Sequence, residues 1–75
     1  MYLYKSNAGA FHIVEYGGLF HPIFQGYDLG AYVTARHAAD DLARGRTFKV
    51  PGLPDTTNLG IPSQLSQWHK LKGDA

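Results

Sequence analysis

The chain has no cysteine, which removes disulfide crosslinks, thiolate catalysis and the sulfur ligands of ordinary structural zinc sites together. A secreted mini-protein framework is thereby excluded, and a zinc site would need histidine and carboxylate ligands alone. No apolar run approaches the ~18 residues needed to span a bilayer, so no membrane partner is expected. Met1-Tyr2-Leu3-Tyr4-Lys5 carries neither the basic nor the long apolar region of a signal peptide, and a cytoplasmic location is the expectation. Charge of one sign is also scarce: the formal net charge is +1. An electrostatic nucleic-acid binder concentrates cations on one face, so nucleic acid is not an expected partner. There is no glycine-rich phosphate loop, no internal repeat, and no nucleophile-elbow setting for Ser6, Ser63 or Ser66.

What is present suits a globular chain: 44% apolar and 17% charged residues over 75 positions. That length makes one domain, residues 1–75, near the lower limit at which a single core holds a fold unaided. The most informative stretch is Leu29 to Gly45, LGAYVTARHAADDLARG. Ala35, Ala38, Ala39, Leu42 and Ala43 fall at i, i+3, i+4, i+7 and i+8, the apolar stripe of a helix docked on a core. Arg36, His37, Asp40, Asp41 and Arg44 occupy the other face. Thr34 is suited to cap the helix N-terminus, and Gly45 sits where a helix ends in a left-handed residue. A ten-residue helix is unstable alone in water. It must dock, and its alanine stripe calls for close approach to a sheet.

The strands follow from composition. FHIVEY, Phe11 to Tyr16, is rich in β-branched and aromatic residues. Gly17-Gly18 reads as a two-residue hairpin loop, and Leu19 to Phe24 returns as the second strand. Pro22 lacks a donor, so its nitrogen is expected to face away from a ladder partner. Gln25-Gly26-Tyr27-Asp28 reads as a four-residue turn and Leu29 to Val33 as the third strand. This register pairs Phe24 with Leu29, Pro22 with Ala31 and Phe20 with Val33. One face then collects Phe11, Ile13, Phe20, Pro22, Phe24, Leu29, Ala31 and Val33, which the helix can cover. The predicted core is Phe11, Ile13, Phe20, Phe24, Leu29, Val33, Ala39 and Leu42. The opposite face holds His12, Val14, Tyr16, Leu19, His21, Ile23, Gly30 and Tyr32, too apolar for a fully solvated surface.

Residues 46–60, with Pro51, Gly52 and Pro54, show no period and read as a long loop, either mobile or draped over the surface. Ile61 to Leu71 reads as a short helical segment folded back and docked through Ile61, Leu65, Trp68 and Leu71. His12 with His21, or His37 with Asp40 or Asp41, are the nearest approaches to a metal site. Neither pair has an evident third ligand, and ordinary charge pairing accounts for the second. Tyr16 and Tyr32 could form a base-stacking platform for single-stranded nucleic acid. The available cations, Lys49, Lys70 and Lys72, lie in the loop and tail instead of the strands.

The pattern from Ala8 to Leu71 also resembles a family of small, uncharacterised bacterial proteins common in pseudomonads and their relatives. The resemblance rests on Leu29-Gly30-Ala31-Tyr32, Ala38-Ala39-Asp40-Asp41-Leu42 with Gly45, and Leu59-Gly60-Ile61-Pro62 with Leu65 and Trp68. Members often carry an acidic residue just before the Trp; Gln67 stands there in this chain, so no role for that charge carries over. The resemblance implies an ordered domain and adds no activity.

The expectation is therefore an α+β domain in which a three-stranded antiparallel meander, or a four-stranded one if Met1 to Lys5 pairs, packs on one short helix. No catalytic, cofactor-binding or metal-ligating residue is assigned. The expected function is a non-enzymatic interaction module that binds a protein partner or itself through His12, Tyr16, His21, Ile23 and Tyr32. Weak single-stranded nucleic-acid binding through the sheet aromatics is the alternative.

Overall fold

The computed structural model describes residues 1–71; Lys72, the last of the tail cations considered above, lies outside them. The architecture is α+β: a five-stranded antiparallel sheet with one α-helix against it. In chain order the strands are β1 (Tyr2–Ser6), β2 (Gly9–Tyr16), β3 (Leu19–Phe24), β4 (Tyr27–Asp28) and β5 (His69–Lys70). Helix α1 spans Ala35–Arg44. The spatial order is β4-β3-β2-β1-β5, so a meander is completed by the C-terminal strand at its outer edge.

The glycine hairpin forms as its sequence dictates. Gly17 and Gly18 have φ of 60° and 82°, the two positive values that match a tight loop to strand twist. Tyr16 pairs with Leu19, Val14 with His21 and His12 with Ile23. The next turn departs from the expected one. It has two residues, Gln25 and Gly26, at φ of 51° and 82°. A side chain at positive φ costs about 1–2 kcal/mol, so Gln-Gly is a weak turn signal in sequence. With the shorter turn, Phe24 pairs with Tyr27 and Ile23 with Asp28. The third strand is thus Tyr27–Asp28, not Leu29 to Val33.

Pro22 explains why β4 is so short. The Leu29 N–H donates to the Pro22 carbonyl at 2.8 Å, but proline has no N–H to return. The Leu29 carbonyl accepts instead from the Phe48 N–H at 3.0 Å. The proline nitrogen faces away from its ladder partner Ile13, as expected, and toward Leu29, whose carbonyl takes its donor from a distant loop. Beyond Leu29 the chain bulges. Phe20 and Tyr32 exchange two backbone hydrogen bonds of 2.8 Å, so three steps along the outer chain match two along β3. One extra residue turns every later side chain over. Tyr32 consequently joins the helix-side face, and Val33, predicted as core, is 77% exposed. Ala31 is exposed as well. Gly30 accommodates the bulge at φ 149°, where a Cβ would stand 3.0 Å from the Tyr32 ring.

Helix α1 is capped at both ends. The Thr34 hydroxyl accepts from the His37 N–H at 3.1 Å. At the C-terminus Gly45 is left-handed, φ 69°. The Arg46 N–H reaches the Asp41 carbonyl at 2.8 Å and the Gly45 N–H reaches that of Leu42 at 3.2 Å, a Schellman pattern. Ala35, Ala38, Ala39 and Leu42 are buried against Phe11, Ile13, Phe24 and Leu29. The remaining predicted core residue, Phe20, is partly buried beside them.

The loop 46–60 is anchored on this core by Val50, Leu53 and Leu59. Within it, Asp55 caps a 3₁₀ turn, Thr56–Asn58, by accepting from the Thr57 N–H at 3.0 Å. The expected helix from Ile61 to Leu71 is only a 3₁₀ turn, Leu65–Gln67. Trp68 leaves it in extended conformation, and β5 follows. An unpaired β1 edge offers a row of free backbone groups; Tyr2 and Leu3 take Lys70 and His69 as partners, and the Leu71 N–H donates to the Met1 carbonyl at 2.8 Å. Trp68 is 5% exposed and belongs to the core. Its indole N–H donates to the Pro62 carbonyl at 2.9 Å, and its ring lies 5.8 Å from that of Tyr4.

Two outcomes follow. Phe24 is 1% exposed, and Phe24→Ala should cost about 3–5 kcal/mol, most of the stability of so small a domain. A urea midpoint within error of the wild type would show that the Phe11–Phe24 contact is not central. Trp68 should emit in the native state at clearly shorter wavelength than free indole and shift red on unfolding; native emission like that of free indole would place the tail off the core.

Candidate interaction surface

Strand alternation and register together define what the helix does not cover. Residues paired across antiparallel strands share a face. His69 pairs with Leu3, Leu3 with His12, His12 with Ile23 and Ile23 with Asp28. These five form one row across the entire sheet, on the face away from α1. Val14 and His21 form the next row, and Tyr16 with Leu19 the one after. On the other side, Lys5 pairs with Ala10. The hydrophobic cluster around the helix includes none of Leu3, Val14, Leu19 or Ile23. Helix, loop and Trp68 all pack on the opposite side.

The resulting surface is an apolar strip with polar tips. Tyr16 is 72% exposed at the hairpin end and meets the His21 ring edge-on at 5.5 Å. The Nδ1 atom of His21 lies 2.9 Å from an Asp28 carboxylate oxygen. The two are in close polar contact but not aligned as a hydrogen bond, which leaves Nδ1 buried without a directed acceptor. Lys5 and Asp28 are therefore the basic and acidic members of this face, one on each side of the strip.

Of the residues expected to form an interaction surface, His12, Tyr16, His21 and Ile23 lie together here. Tyr32 does not. The bulge carries it to the helix side, where its ring meets that of His37 edge-on at 4.8 Å. Burial, reinforced by the neighbouring Asp41 carboxylate, pushes the Tyr32 hydroxyl up to about 12, because the charged phenolate would be poorly solvated and repelled. The stacking platform of Tyr16 and Tyr32 is thus divided between opposite faces. Leu3, Asp28 and His69 complete the surface and were not among the expected residues. Leu3 was readable from the alternation Tyr2-Leu3-Tyr4-Lys5. Asp28 and His69 required the short Gln25-Gly26 turn and the tail strand.

The histidine pairs do not assemble a metal centre. His12 and His21 are diagonal neighbours on adjacent strands, and His37 Nε2 stands 3.7 Å from Asp41 on the far side of the molecule. Among the described residues no three potential ligands converge. Nor is any helix among them long and apolar enough to cross a membrane.

No family model, curated protein or solved structure matches the chain.

The raised Tyr32 titration has a definite sign. A folded-state value above the ordinary 10.0 contributes stability that is complete below that pH and is lost as pH rises through about 12. The stability difference between the wild type and Tyr32→Phe should therefore be constant up to pH 9 and shift against the wild type between about pH 10 and 12. Urea midpoints measured across that range decide it; a constant difference throughout means Tyr32 titrates as free tyrosine does.

Proposed function

We propose that this protein is a non-enzymatic interaction module that binds a protein partner, or a second copy of itself, through the uncovered sheet face. One observation carries the reading: Leu3, Val14, Leu19 and Ile23, interleaved with His12, Tyr16 and His21, form a continuous strip outside the core cluster. Contiguous apolar surface of this kind, rimmed by polar groups, is typical of contact sites. Tyrosine is favoured there because it combines a large apolar body with a polar tip. A face five strands wide at ~4.8 Å spacing is of the order needed for one side of a small interface. The sparse charge on the strip, Lys5 and Asp28, favours a protein surface over the phosphate backbone of nucleic acid, which is held by clustered cations.

Tyr16→Glu combined with Leu19→Lys tests the reading at the exposed end of the strip, where both side chains reach solvent and folding is not at stake. Self-association by sedimentation, and capture of partners from lysate, should each weaken at least about tenfold, or ~1.4 kcal/mol. A folded double variant that keeps every association of the wild type would falsify the proposal.

A further inference from the structure

The loop 46–60 roofs a second feature, independent of the sheet face: a cavity of about 150 Å³ between the loop and the core. Its floor is the stacked pair Phe11 and Phe24, with ring centroids 4.3 Å apart and planes 17° from parallel. Leu29 walls one side, and Val50 and Leu53 approach from the loop. Thr47 also lines it, and at 7% exposure it is the only buried polar residue among those described. None of the side-chain hydrogen bonds among the described residues uses its hydroxyl. That hydroxyl is not sealed in but keeps access to the cavity it lines, so it is available to a hydrogen-bonding group from outside the protein.

Size and charge narrow the occupant. A cavity of about 150 Å³ with an aromatic floor has room for one benzene-sized ring. At the mouth stand one cation, Lys49, and one anion, Asp55. Lys49 Nζ is already donating to the Gly45 carbonyl at 3.0 Å, and an Asp55 oxygen already accepts from Thr57. Opposite and engaged charges give no attraction for an ionised ligand. Phe48, 72% exposed, extends the apolar wall outward at the opening.

We infer that this cavity binds a neutral, single-ring molecule bearing one hydroxyl, a compound of the phenol class, with its ring on Phe11, Phe24 and Leu53 and its hydroxyl on Thr47. Backbone amide NMR titrations of the full chain with phenol, toluene and benzoate test it. Phenol should produce saturable shifts centred on Leu29 and Thr47 to Leu53. It should bind about threefold to tenfold tighter than toluene, the yield of one net hydrogen bond, and benzoate should not bind. Thr47→Val should remove the preference for phenol while leaving toluene binding, and Leu53→Trp should fill the space and abolish both. Should the Trp variant fail to fold, the Thr47→Val comparison decides alone. Linear shifts without saturation, phenol bound no better than toluene, or a preference that survives Thr47→Val overturns the inference. These substitutions leave the sheet face untouched, so the two readings stand or fall separately.

Discussion

A single missing donor organises one half of this molecule. Pro22 lies in β3, between β2 and the short β4, and cannot return the hydrogen bond that Leu29 gives it. Three consequences follow. The ladder of β4 stops early, because continued pairing would leave the Leu29 carbonyl unsatisfied in a buried position, and such groups are costly. The carbonyl instead takes the Phe48 N–H, which fastens the start of the 46–60 loop to the sheet. Finally, the freed chain bulges through Gly30 and Ala31 before Tyr32 rejoins Phe20, and that extra residue sends Tyr32 toward the helix and Val33 into solvent.

The other half rests on how closely α1 can approach. Ala38 and Ala39 are fully buried, and only Leu42 adds a large side chain on that stripe. Small side chains bring the helix backbone down onto Phe11, Ile13 and Phe24, and dense packing makes up for the few methyl groups contributed. Gly45 continues the theme at the helix end, where a Cβ would come within 2.6 Å of the Thr57 methyl; helix and loop fit because nothing intervenes. One helix, a loop and Trp68 suffice to cover one face of the sheet. Among the described residues they leave nothing for the other.

That imbalance bears on function. A two-layer domain of this size buries its aromatic residues on the helix side, where Phe11, Phe24, Tyr4 and Trp68 meet. The remaining face then carries aliphatic Val14 and Ile23 beside His12 and His21, whose polar tips tolerate both water and contact. The cavity beneath the loop has a different origin. The loop is held at Phe48 and again at its capped 3₁₀ turn, and the span between, containing Pro51 and Pro54, arches over Phe11 and Phe24 without filling the space.

Much was legible in the sequence because it depends on neighbours within one turn or one hairpin. The helix, with Thr34 and Gly45 at its ends, follows from 3.6-residue spacing and capping chemistry. The Gly17-Gly18 hairpin fixes the pairing of β2 with β3, and alternation then assigns Phe11, Ile13 and Phe24 to the core. A two-residue error in the next turn left Leu29 correctly inward, since side chains repeat every second residue, whereas the one-residue bulge reversed Tyr32 and Val33. Nothing local announced that bulge: it answers the Leu29 carbonyl left orphaned by Pro22 and a donor far along the chain, at Phe48. The tail was misread for the same kind of reason. Ile61, Leu65 and Trp68 have helical spacing, but the free edge of β1 drew His69 and Lys70 into the sheet. Sequence by itself determined which segments carry periodicity, caps and tight turns, because those energies are local. Tertiary structure decided the register past Pro22, the fifth strand and the uncovered face, because unsatisfied backbone groups are paired with whatever the completed fold brings within reach.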